Sequence, residues 1–398
     1  MRTQEIMELY DRYVIGNYAR NPIAIVRGSG SRVWDAEGRE YLDFFPGWGV
    51  NAIGHCHPKV VSAIKEQCEK LIHVPNNYYN EPQAILAKRI SESSFGGKCF
   101  FCNSGAEAIE ASIKLARRYF RKAKGEDRFE IITMYGSFHG RTIAAITATA
   151  QPKYQEGFEP LLPGFKYIPF NDIDALKDAV DERTCAVLME PIQGEGGINV
   201  AEEDFMMEAR RICDRTGALL ILDEVQTGIG RTGKMFAYQH YGVVPDIMAL
   251  AKALGGGMAI GAIVAKEEIS AALTPGSHAS TFGGNPLACR AAIAVFDAIY
   301  EEGLLERAEK MGNMIKEALI SLKDRYGAIV DVRGKGLMIG VELDRPGDEL
   351  VRECMRRGLL INCTAGKVIR FMPSMTVTEE EVKEALSIFE EALRNLGG

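Results

Sequence analysis

Between about residues 97 and 265 the chain alternates short β-branched runs with helical patterns, and nothing else in the sequence restricts the fold so strongly. Strand-like runs fall at 98–102, 130–134, 184–189, 218–222, 247–251 and 260–265, while helical periodicity marks 58–71, 106–122 and 202–216. This alternation predicts an α/β fold whose large domain is a mostly parallel central sheet between helices. In such sheets ligands bind beyond the carboxyl ends of the strands, so the residues just after each strand are where chemistry is expected. Two strand-like pieces at 23–26 and 31–34 precede this region. After Pro286 the pattern reads helix, strands at 329–332, 337–343 and 368–371, and a last helix opened by Thr378-Glu379-Glu380-Glu381. We expect a smaller α+β domain built from both chain ends, with residues 1–55 and 291–398 flanking a large domain over 56–290.

The balance of charge narrows the partners. A net charge of -7 argues against nucleic acid, which needs a basic surface or stripe. The densest basic run, Arg117 to Lys124, reads as a solvated helix face. Nine cysteines, an odd number widely spaced, fit free thiols in a reducing compartment. Cys99 and Cys102 stand three apart in a strand-like run and so point to opposite faces, and no second such pair completes a metal site. Glu5, Glu8, Asp11 and Arg12 interrupt the N-terminal apolar residues as no secretory segment would tolerate. The longest apolar stretch, 253–265, is too short to span a bilayer, so a cytoplasmic protein with no membrane partner is expected. Gly228 to Gly233 matches GxGxxG, but it neither follows a strand directly nor opens a capped helix, which excludes a nicotinamide site.

Three features carry chemistry. The run 218–222 leads straight into Asp223, a carboxylate that is costly at a buried strand end unless a cation or donor meets it. The run 247–251 leads into Lys252, a sheltered amine of depressed pKa suited to attack an aldehyde. Ser104-Gly105-Ala106-Glu107 follows 98–102 and has capping-box spacing, which also makes a helix N-terminus able to cradle an anion. A pyridine aldehyde with a phosphate tail needs all three.

Taken with their neighbours these residues resemble the class III (subgroup II) aminotransferases of pyridoxal-5′-phosphate (PLP) fold type I. The likeness runs from about Pro22 to the final helix. It rests on Gly54-His55-Cys56-His57-Pro58, Asn103-Ser104-Gly105-Ala106-Glu107-Ala108, Phe138-His139-Gly140-Arg141-Thr142, Glu190-Pro191-Ile192-Gln193-Gly194-Glu195-Gly196-Gly197, Asp223-Glu224-Val225-Gln226 and Thr281-Phe282-Gly283-Gly284-Asn285-Pro286. Asn77-Tyr78-Tyr79-Asn80-Glu81-Pro82-Gln83, and Gly358 to Asn362 leading to Val368-Ile369-Arg370-Phe371, make it most similar to the acetylornithine aminotransferases.

The resemblance implies that Lys252 carries the cofactor as a Schiff base and shuttles protons, and that Asp223 pairs with the ring nitrogen. It implies Gln226 on the ring hydroxyl, Phe138 on a ring face, and Ser104, Gly105 and Ala106 on the phosphate. Thr281 would join the phosphate from a neighbouring subunit, which implies a homodimer with shared active sites. Arg141 would hold the distal carboxylate and Arg370 the α-carboxylate of glutamate, with Glu195 pairing Arg370 when the ω-amino substrate is bound and Ser280 adding a contact. The implied reaction transfers the ω-amino group of N-acetylornithine to 2-oxoglutarate, giving N-acetylglutamate semialdehyde and glutamate, a step of arginine biosynthesis. Other ω-amines (ornithine, 4-aminobutyrate, succinyl-diaminopimelate, carrier-linked lysine) and an aminomutase or racemase of the same fold are the alternatives. Trp48 departs from the smaller aliphatic residue usual in relatives that take acetylornithine, and would alter the pocket if it lines the entrance. Ile109 replaces a common Asn and fits an apolar helix face.

Overall fold

The computed structural model describes residues 1–397. Seven strands form the central sheet in the order Lys98–Cys102, Gly261–Ala265, Ile247–Leu250, Leu219–Asp223, Thr184–Met189, Glu130–Met134, Phe165–Ile168. Gly261–Ala265 runs antiparallel to both neighbours, and every pairing from Ile247–Leu250 outward to Phe165–Ile168 is parallel.

Strands buried on both faces read as unbroken apolar runs, which is why this sheet stands out in the sequence. Leu220, Leu222, Val187, Met189, Met248 and Leu250 point into one core with Phe205, Met206 and Ile212 of the helix Glu203–Thr216. Their alternates Leu219, Ile221, Ala186, Leu188, Ile247 and Ala249 point into a second core. That second core is closed by Ala108, Ile109, Ala111 and Leu115 of the helix Gly105–Arg118. The edge strand Phe165–Ile168 was not expected, because its Phe-Lys-Tyr-Ile sequence is half-buried and lacks an apolar run.

The helix after residue 104 ends at Arg118 and continues as a π-helical turn, Tyr119–Lys124. Arg117 and Arg118 are not simply solvated there: each donates to backbone carbonyls, Arg117 to those of Phe129 and Pro163 and Arg118 to that of Ala272.

Both chain ends meet beside the sheet. Glu40–Asp43 closes an antiparallel meander with Ile25–Ser29 and Arg32–Asp35, and pairs in parallel with Leu359–Leu360 from the far end of the chain. Ile329–Lys335, Met338–Leu343, Val368–Phe371 and Asn362–Thr364 form a further antiparallel sheet in that order. The last helix, Glu379–Asn395, opens on a complete capping box: Thr378 Oγ1 accepts from the Glu381 amide at 3.1 Å and Glu381 accepts from the Thr378 amide at 3.0 Å.

The helix Leu304–Arg325 lies on this second sheet through a glycine. A Cβ on Gly312 would stand 2.2 Å from the carbonyl oxygen of Gly336, in the turn joining Ile329–Lys335 to Met338–Leu343. In an open helix Gly→Ala gains about 1 kcal/mol. Here the sign reverses, and Gly312→Ala should cost about 1–3 kcal/mol through overpacking, read as a lowered midpoint of thermal unfolding.

Candidate active site

Five strands of the sheet deliver residues to one place. Leu222 pairs with Met189 and with Met248 across the parallel ladders, so the residues that follow, Asp223, Glu190 and Lys252, emerge together at the carboxyl edge. Lys98–Cys102 adds Asn103 and Ser104 from the same edge, and the segment after Glu130–Met134 returns Phe138 and His139 over it. These groups line a cavity of about 460 Å³.

Asp223 is buried and its carboxylate is held from behind. Oδ1 accepts from the Val225 amide at 3.0 Å, and Oδ2 accepts from Nδ1 of the fully buried His139 at 2.8 Å. A carboxylate has about four acceptor sites, so two lone pairs remain to meet a donor in the cavity. Beside it, Glu190 accepts from the amides of Phe138 at 3.1 Å and Gly194 at 3.2 Å. Burial, and then the charge of Asp223, raise the Glu190 pKa well above the ordinary carboxyl range. The folded chain therefore holds this proton more tightly than the unfolded chain. Its contribution to stability is complete below the ordinary carboxyl pKa and is lost as pH rises through the raised one.

Lys252 follows its strand in a left-handed backbone conformation, φ 46°, uncommon for a residue with a side chain. Burial pushes its ammonium below the usual lysine value, against the opposing pull of Glu195 and Asp223. At the cavity's other end Ser104 caps the helix Gly105–Arg118, its Oγ accepting from the Glu107 amide at 3.2 Å. The return arm of the expected capping box goes to the neighbouring residue instead: Glu107 accepts from the Asn103 amide at 2.8 Å. The Gly105 and Ala106 amides in the first turn lack helical acceptors and face the same cavity. Gln226 Oε1 is buried beside it without a partner, while Nε2 donates to the Trp48 carbonyl at 3.5 Å. Gly194 lets Gln226 pack closely, since a Cβ there would fall 1.8 Å from Gln226 Oε1 and displace that side chain.

Arg370 and Glu195 form an ion pair whose charges both act on Lys252. Arg370 is fully buried, and Nη1 donates to Glu195 Oε1 at 2.6 Å. Arg141 is exposed at the cavity wall, its guanidinium carbon 4.3 Å from the ring centroid of Tyr154 and 5.4 Å from that of Phe138.

Not every expected residue is gathered in. Ser280 stands behind Asn103, its Oγ accepting from Asn103 Nδ2 at 3.2 Å. Thr281 is exposed and does not line the cavity of its own chain. Trp48 is half-exposed in a left-handed conformation, φ 57°, and touches the site through its backbone carbonyl rather than as a wall. His139, Glu190 and Val225 line the cavity without having been assigned roles from sequence. Glu190 follows Thr184–Met189 much as Asp223 closes its own strand, so the same signal marks both. His139 carries no such mark.

The donor set fits pyridoxal phosphate. It offers first-turn amides for a phosphate, a braced carboxylate for a ring nitrogen, an orphaned amide oxygen, and a desolvated amine for an aldehyde.

Comparison with known proteins agrees. Residues 14–393 match the family model described as aminotransferase class III. The acetylornithine aminotransferase of Caldanaerobacter subterraneus subsp. tengcongensis is 55% identical over 97% of this chain and 98% of its own. That of Methanocaldococcus jannaschii is 50% identical over the full length of both. The ornithine aminotransferase structure from Toxoplasma gondii ME49 superposes with a TM-score of 0.96 at 34% identity, covering 100% of this chain and 96% of that one. The acetylornithine aminotransferase structure from Elizabethkingia anophelis gives 0.89 at 35% identity, covering 99% and 100%. The chain belongs to the class III aminotransferases, PLP-dependent enzymes that act on an amino donor and a keto acid. Among the described residues no helix is long and apolar enough to cross a membrane.

His139→Leu would remove the donor to Asp223 Oδ2 and should cost about 1–3 kcal/mol, with weaker retention of the cofactor. His139→Asn keeps a donor and should lose less. Unfolding midpoints and cofactor release on dialysis read both.

Proposed function

We propose that the enzyme transfers the ω-amino group of N-acetylornithine to 2-oxoglutarate, giving the semialdehyde and glutamate. The observation that carries this reading is the buried Arg370–Glu195 pair beside Lys252, a cation with a removable counter-ion. Glutamate brings two carboxylates to the site, and N-acetylornithine brings one. A single pocket serves both if a carboxylate of the protein fills in for the missing one. The identity of the acetylornithine aminotransferases to this chain over its whole length supports the same substrate.

In this reading Lys252 holds the cofactor through its ε-amine, and Asp223, braced by His139, binds the ring nitrogen. Ser104, Gly105 and Ala106 hold the phosphate, Gln226 the ring hydroxyl, and Phe138 covers a ring face. The bound group supplies an electron sink for the carbanion formed when the substrate carbon loses its proton. Lys252 moves that proton, and the burial that lowers its pKa favours the neutral amine that accepts it. Arg141, anchored over Tyr154 and Phe138, takes the far carboxylate. Glu195 stays on Arg370 while N-acetylornithine reacts and withdraws when glutamate or 2-oxoglutarate arrives. Ser280, which accepts from Asn103, adds a substrate contact.

The reading includes two copies of the chain, the partner's Thr281 completing each phosphate site. Its support is the exposure of Thr281 and Phe282, in the loop whose Gly283 carbonyl accepts from Asn76. Residues 1–55 and 291–398 act as the smaller domain against 56–290, consistent with the pairing of Glu40–Asp43 and Leu359–Leu360.

The test is a half-reaction without keto acid. The PLP-loaded enzyme is mixed separately with N-acetylornithine, ornithine and 4-aminobutyrate, and the cofactor's visible absorption is followed. N-acetylornithine should discharge it at least about tenfold more efficiently than the others, a gap of about 1.4 kcal/mol in transition-state binding. Faster discharge by ornithine or 4-aminobutyrate would replace the donor assigned here.

A further inference from the structure

Arg370 occupies the middle of Val368–Phe371, and its cross-strand neighbours differ sharply. On one side stands Gly340, where a Cβ would press on Ile198 at 2.9 Å. On the other stands Asn362, in the three-residue edge strand Asn362–Thr364. Asn362 Oδ1 accepts from Arg370 Nε at 2.6 Å. The remaining contacts divide into fixed and removable ones. Nη1 also donates to the Gly194 carbonyl at 3.4 Å, and the guanidinium carbon lies 4.6 Å from the ring centroid of Phe45. Against these fixed supports, the outer Nη1–Nη2 edge meets Glu195, at 2.6 and 3.4 Å.

Glu195 is held differently. Its carbonyl accepts from Thr364 Oγ1 at 2.7 Å, two residues along the same edge strand and so on the same face as Asn362. Among the described residues its carboxylate bonds only to Arg370. One short strand thus grips the arginine by its side chain and the glutamate by its main chain, and leaves one side-chain contact free to break.

The chemistry of the grip matters. Asn362 offers an uncharged acceptor, so it fixes the guanidinium without neutralising it. A carboxylate there would be a permanent counter-ion competing with any incoming one. With no acceptor, the Nε–H would be left unpaired and the guanidinium free to turn with Glu195.

We infer that Asn362 is a positioning residue for carboxylate exchange: it pins the Nε edge of Arg370 so that the opposite edge, vacated by Glu195, receives a substrate carboxylate as a fully charged two-pronged site. This rests on the reading that Arg370 serves Glu195 and glutamate in turn. The residue is then specific to dicarboxylate binding and not to the chemical step.

The test uses the PLP-loaded enzyme with Asn362→Asp, which keeps shape and adds charge, and Asn362→Leu, which removes the acceptor. Glutarate, an unreactive dicarboxylate, is titrated calorimetrically, and the glutamate half-reaction is resolved into a dissociation constant and a limiting rate. Both variants should weaken glutarate and glutamate about tenfold, as expected for loss or mischarging of one charge-assisted contact. The limiting rate should fall far less, and N-acetylornithine, which leaves Arg370 to Glu195, should be weakened less than glutamate. Wild-type affinity for glutarate in both variants would overturn the inference. So would an equal weakening of all ligands accompanied by a lower unfolding midpoint, the mark of a merely structural residue. If wild-type enzyme ignores N-acetylornithine but still binds glutarate, only the amino donor is wrong and the comparison stands. If wild type binds no glutarate, the Arg370 reading fails and Asn362 falls with it.

Discussion

The inner strands of the central sheet are apolar on both faces, and the charges of the site stand where those strands stop. Leu220 and Leu222 face one core, Leu219 and Ile221 the other, and the first place on that strand where a carboxylate can be tolerated is its last residue, Asp223. The neighbouring strands obey the same restriction: Glu190 stands one residue beyond its strand and Lys252 two residues beyond its own. Burying a carboxylate without partners would cost several kcal/mol, and the surroundings answer that cost with His139, the Val225 amide and a cation across the cavity. The charged cluster is thus a consequence of how the sheet excludes charge, and the helices that cover the sheet only frame it.

Within the cluster the two neighbouring carboxyl groups are held differently. Two carboxyl groups leave adjacent strands side by side, and a buried site does not favour both ionised. Asp223 is the one tied to His139, whereas Glu190 accepts from two amides and is shifted toward its neutral form. That division leaves Asp223, braced by His139, as the carboxyl group placed to meet a ring nitrogen. It also places Lys252 between two pulls, desolvation lowering its pKa while Glu195 and Asp223 raise it, with desolvation the larger. Removing Glu195 from the neighbourhood would weaken the raising side. The counter-ion of Arg370 therefore also bears on the amine.

Much of this was legible in the sequence, and for a physical reason. Doubly buried strands give apolar runs with sharp ends, so 130–134 and 184–189 emerge at the bounds the structure has, as does the edge strand 98–102 through its run Cys99 to Cys102, and Asp223 and Lys252 stand out as charges closing such runs. Phe165–Ile168 did not emerge because an edge strand with Lys166 at its rim has no such run. His139 reaches Asp223 across 84 residues of chain, and no spacing rule encodes that contact. Asn362 meets Arg370 only through the register of two antiparallel strands. Trp48 shows the limit from the other side: its position suggested an entrance wall, but a left-handed backbone turns its carbonyl toward Gln226 and leaves the indole half-exposed.

The claim on which the account turns is that Lys252, among all the lysines, carries the cofactor. Borohydride reduction of the PLP-loaded protein, followed by digestion and mass spectrometry of the peptides, tests it directly. The account predicts one modified peptide, with the pyridoxyl phosphate mass on Lys252. A stoichiometric label on any other lysine, with Lys252 unmodified, would contradict it.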